Sequence, residues 1–68
     1  MIFDRYPERR RVWVTTRTDR TIAGLLWRKC REYLVLRNAV LMGRDRSEAP
    51  MEGEIVILRE NVDVIQVL

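Results

Sequence analysis

Gly53-Glu54-Ile55-Val56-Ile57-Leu58-Arg59-Glu60-Asn61-Val62 is the stretch on which the fold turns. Successive side chains of a strand point to opposite sides, so Ile55 to Leu58 makes both faces of an extended segment apolar. A strand that is apolar on both faces is buried on both faces. Val64-Ile65 and Val67-Leu68 repeat the pattern a few residues later. One small domain cannot cover both segments and would leave two adhesive edges. Pairing the first segment of one copy with the second segment of the next satisfies both. Such a head-to-tail contact closes into a ring when the rotation per subunit divides a full turn.

Upstream the same two-residue period recurs. Val12 and Val14 alternate with Trp13 and Thr15, as in a half-buried strand. The polar turn Thr16-Arg17-Thr18-Asp19-Arg20 leads into a second strand from Thr21 to about Arg28. Gly24 lies inside that strand, where a glycine marks a sharp bend, a bulge or the close approach of another backbone. Lys29-Cys30-Arg31-Glu32 is the next turn, and Tyr33 to Met42 reads as a long third strand. Gly43 to Pro50 is a charged loop punctuated by glycine and proline. Met51 to Leu58 makes a fourth strand and Val62 to Leu68 a fifth. Residues 1–10, aromatic and charged around Pro7, form an N-terminal arm or a short helical turn. Five strands joined by short turns favour a closed or nearly closed antiparallel barrel over residues 11–68.

Length limits what holds such a barrel together. The chain has 68 residues, enough for one domain that buries only roughly 60% of its unfolded surface. Cys30 is the only cysteine and there is no histidine, so neither an internal disulfide nor a zinc site is expected. Self-association is the remaining stabiliser. Apolar residues at 47% and charged residues at 34% fit a globular chain. No apolar run approaches the roughly 20 residues of a membrane span. Residues 1–7 lack the apolar core of a secretory signal, so a cytoplasmic, reduced setting is expected and no membrane partner.

The sequence offers no case for catalysis. It has no histidine, no glycine-rich phosphate loop and no serine in a nucleophile motif, so neither an enzyme nor a bound cofactor is expected. Cys30 stands between Lys29 and Arg31 without a partner base. Net charge is +3, and of the 13 basic residues Lys29 alone is not arginine. Arginine suits phosphate recognition and base stacking; a biased genomic composition explains the ratio equally well.

The order Val12-Trp13-Val14, Thr21 to Leu26, Leu34-Val35-Leu36-Arg37-Asn38-Ala39 and Gly53 to Val62 resembles the two-part signature of the Sm and Sm-like family. The resemblance spans residues 11–68. It implies an all-β, strongly bent five-stranded SH3-like barrel whose protomers join into homo-oligomeric rings, here of five to seven copies. It also implies single-stranded RNA as ligand, held by the loop between strands two and three and the loop between strands four and five. Arg59 matches the family's stacking arginine and Asn61 its final asparagine, while the intervening glycine is absent. In the first loop, which is shorter than the family's, Lys29, Arg31 and Tyr33 are the candidate contacts. An aromatic or guanidinium plane sandwiches an unstacked base, and a side-chain amide reads its edge. The rival expectation is a structural or protein-interaction ring that keeps the barrel without binding RNA. A third is a small barrel that binds duplex DNA as a monomer or dimer.

Overall fold

The structure is a computed structural model and describes residues 9–68. The expected arm falls almost wholly outside those residues. Six strands follow in order: β1 (Arg11–Thr16), β2 (Thr21–Lys29), β3 (Tyr33–Met42), β4 (Glu48–Pro50), β5 (Ile55–Leu58) and β6 (Val62–Val67). A 3-10 turn, Arg59–Asn61, separates the last two. All pairings are antiparallel, in the order β4-β3-β2-β1-β6, with β5 also paired to β3.

Of the expected fourth strand, Met51 to Leu58, only Ile55–Leu58 is strand, and β4 precedes it end to end against β3. β4 pairs with Val40 to Met42, and β5 with Tyr33 to Leu36. Glu48–Pro50, expected in the loop, is paired because only its backbone is needed there. All three of its residues are exposed, and proline is tolerated on an edge strand.

Alternation decides which side chains meet. Val12 and Val14 of β1, Ile22 and Leu26 of β2, Leu34, Leu36 and Ala39 of β3 and Ile57 of β5 form one core. Val62, Ile65 and Val67 pack against it from β6. Fully burying a residue such as Leu26, Leu34 or Leu36 contributes about 1.5–3 kcal/mol.

Three register slips bend the sheet. One lies between Ala23 and Leu25, a second between Leu26 and Arg28, and a third between Thr15 and Thr16. At the first, β2 passes through Gly24 while β3 passes through Asn38 and Ala39, Asn38 adopting φ 51°. An extra residue of this kind kinks the strand and raises its twist.

The bend does not close the sheet. Among the described residues β5 pairs only with β3 and β6 only with β1. The outer edges of β5 and β6 therefore remain open.

Candidate nucleic-acid interface

Two short connections meet at one end of the sheet. Cys30–Glu32 links β2 to β3, and the Cys30 N–H donates to the Tyr33 carbonyl at 2.9 Å. The 3-10 turn then docks on this connection. The Arg59 N–H donates to the Glu32 carbonyl at 2.9 Å, and Arg59 Nη1 donates to the Arg31 carbonyl at 2.7 Å. At its far side the Asn61 carbonyl accepts from the Arg17 N–H at 2.8 Å. Backbone and guanidinium together hold the two loops as one surface.

Arg31, Glu32, Leu58, Arg59 and Glu60 line a shallow cleft there. Of the five residues expected from sequence, Arg31 and Arg59 are brought together. Lys29 ends β2 opposite buried Leu34 and is itself half-buried. Asn61 is half-buried and touches the neighbouring β1–β2 turn through its backbone. Tyr33 is 36% exposed and opens onto a different hollow, with Trp27, Val35, Arg37, Glu54 and Val56.

That second hollow was not expected. Arg9 and Arg37 place their guanidinium carbons 3.8 Å and 4.1 Å from the centre of the Trp27 ring. Arg37 is fixed in turn by Glu54 Oε2, which accepts from its Nε at 2.9 Å and its Nη2 at 2.6 Å. Cation–π contacts of this kind are worth about 0.5–1 kcal/mol each at exposed sites. The signal that the sequence reading passed over was Arg37, which pairs with Leu25 on the adjacent strand, two residues from Trp27.

The cleft is mixed in charge. Glu32 and Glu60 share its wall with Arg31 and Arg59. Such a surface attracts phosphate weakly in total and orients it sharply, because the guanidinium groups donate while the carboxylates repel.

No family model and no curated protein sequence matches the chain. Among solved structures, it superimposes on the crystal structure of a heptameric archaeal Sm protein with a TM-score of 0.79. Identity is 26%, over 88% of this chain and 87% of that one. The fold is Sm-like. The same Sm-like fold gives a TM-score of 0.75 and 24% identity to a chain of the NatC complex bound to CoA, over 88% of this chain and 77% of that one.

Proposed function

We propose that copies of this chain join edge to edge into a ring of five to seven subunits that binds single-stranded RNA. The observation that carries the ring is where the exposed apolar side chains lie. Val56 and Leu58 on β5 and Val64 on β6 are more than half exposed, and Leu68, directly after β6, is 50% exposed. Joining β5 of one copy to β6 of the next pairs both open backbone edges and shields these residues. The heptameric state of the archaeal Sm protein supports seven as the first number to test.

RNA binding is supported by the Arg31–Arg59 cleft. A hydrogen bond to the Arg31 carbonyl orients the Arg59 guanidinium, a planar group of the kind that stacks on an unstacked base. In a ring the cleft recurs once per subunit, so a strand of several nucleotides meets several copies of a weak site. The proposed role is binding, with no bond made or broken.

Light scattering on the purified protein tests the ring: a mass near the 8.2 kDa of one chain rules it out. Fluorescence anisotropy with short U-rich and A-rich oligonucleotides then tests the ligand. A ring with no affinity even at low salt leaves the second reading, a protein-interaction ring.

A further inference from the structure

The outer face of the sheet carries a hollow of about 500 Å³ that shares no wall with the Arg31–Arg59 cleft. Register builds it. Met42, Thr21, Thr15 and Val64 stand in one row across β3, β2, β1 and β6, and the next row sets Trp13 between Ala23 and Gln66. The small Thr15 and Thr21 make a low floor beside the indole of Trp13, which is 40% exposed.

Two turns raise a rim. Asp19 and Arg46 both line the hollow, and both hold left-handed backbone, at φ 65° and 68°, without being glycine. Three backbone N–H groups lock the Gly43–Ser47 loop. The Gly43 N–H donates to the Ser47 carbonyl at 2.8 Å, the Arg46 N–H to the Gly43 carbonyl at 3.0 Å, and the Ser47 N–H to Asp45 Oδ1 at 3.1 Å. The last bond turns the Asp45 carboxylate back into its own loop. Arg44 Nη2 donates to Asp19 Oδ2 at 2.7 Å, so that pair is neutral. Among the residues lining the hollow, Arg46 is the charge without an ion-pair partner.

We propose that this hollow binds a nucleotide unit, its base against Trp13 and its phosphate on Arg46. The chemistry fits in three places. An exposed indole stacks on any base. The Thr15 and Thr21 hydroxyls and the Gln66 amide can pair with a base edge or ribose. A guanidinium at the rim binds phosphate through charge-assisted hydrogen bonds. The volume lies within the range of small-molecule sites, roughly 300–1,000 Å³. Every wall comes from one copy, and its β6 end, at Val64, borders the edge through which the ring would join.

Nuclear magnetic resonance tests it through the two indole N–H signals, assigned with Trp13→Phe. Titration with AMP or UMP should move the Trp13 signal to saturation and leave that of Trp27 in place. Arg46→Gly removes the cation and suits a positive φ, so it keeps the fold; it should weaken nucleotide binding about tenfold, the loss of one charged hydrogen bond. Adenosine, lacking the phosphate, should be weaker than AMP by a similar factor. A hexanucleotide that binds more tightly than AMP and loses that gain in Arg46→Gly assigns the site to a strand; equal binding assigns it to the free nucleotide. Arg59→Ala should leave the AMP titration unchanged, which separates this site from the cleft. A Trp13 signal that stays still at millimolar AMP overturns the proposal. So does adenosine matching AMP, or an acidic peptide that moves Trp13 where AMP does not.

Discussion

A Cβ on Gly24 would stand 3.2 Å from the Cα of Ala39 and 3.2 Å from the carbonyl oxygen of Arg37. Both are backbone atoms of the paired strand, so neither can rotate aside. Gly24→Ala therefore forces β2 and β3 apart at the first register slip. The expected cost is about 1–3 kcal/mol, the range for overpacking. For a chain this short each kcal/mol lowers the melting midpoint by about 4–8 °C. Thermal unfolding followed by circular dichroism measures it, and an unchanged midpoint would show that the two strands do not approach as described.

The strand order and this bend were legible because a period of two and a glycine within it are local signals. Tyr33–Met42 has the predicted bounds, and Gly24 sits at a bulge as its presence in a strand implied. β4 was not legible: Glu48–Pro50 has neither apolar alternation nor β-branched residues, and it is held by backbone bonds to β3. The site was half legible for the same reason. Arg31 and Arg59 were named from their loops. That Tyr33 opens onto the hollow with Val35 and Val56 follows from the β3–β5 register, a relation between strands that no local pattern encodes.

Asn38 carries the other half of the bulge, with φ 51° on an exposed residue. Asparagine enters the left-handed region more readily than other side chains, and β-branched residues enter it least. Asn38→Val should cost about 1–3 kcal/mol, while Asn38→Gly should fall within about 1 kcal/mol of the parent. Urea unfolding of both variants checks the order. Equal losses would mean that the amide side chain, and not the backbone angle, is what the position requires.

Val56 is 57% exposed on the open edge of β5, so charge there costs the single chain little. In a ring it would be set at a subunit boundary. Val56→Lys should leave the circular dichroism spectrum intact and lower the mass seen by light scattering toward that of one chain, as charged edge strands resist pairing. A variant that keeps the full assembly would place the contact elsewhere.

Asp45 is exposed, and its carboxyl is held below its ordinary pKa, first by the Ser47 hydroxyl and then by the Ser47 backbone N–H. A carboxylate depressed by folding stabilises the loop above the unfolded pKa, and that contribution is lost as pH falls through the folded value. Ser47→Ala removes the larger cause and should raise the Asp45 titration midpoint toward the ordinary carboxylate value. Carbon-detected titration of the side-chain carboxyl reads it directly; identical curves for parent and variant would remove Ser47 as the cause.

Arg59 can act on RNA by stacking or by charge, and two substitutions separate the roles. Lysine keeps the charge and can still reach the Arg31 carbonyl, but it offers no planar face. If the guanidinium stacks on a base, Arg59→Lys should weaken oligonucleotide binding nearly as much as Arg59→Ala, by about 1–3 kcal/mol per base. If it contacts phosphate, Arg59→Lys should bind almost as well as the parent. Arg59→Ala should then lower the slope of log affinity against log salt by about 0.7, the value for one contact on a single strand. The hydrogen bond from Arg59 Nη1 to the Arg31 carbonyl fixes the group at one end, which favours the stacking outcome. Affinity that is indifferent to both substitutions would move the RNA contact out of this cleft.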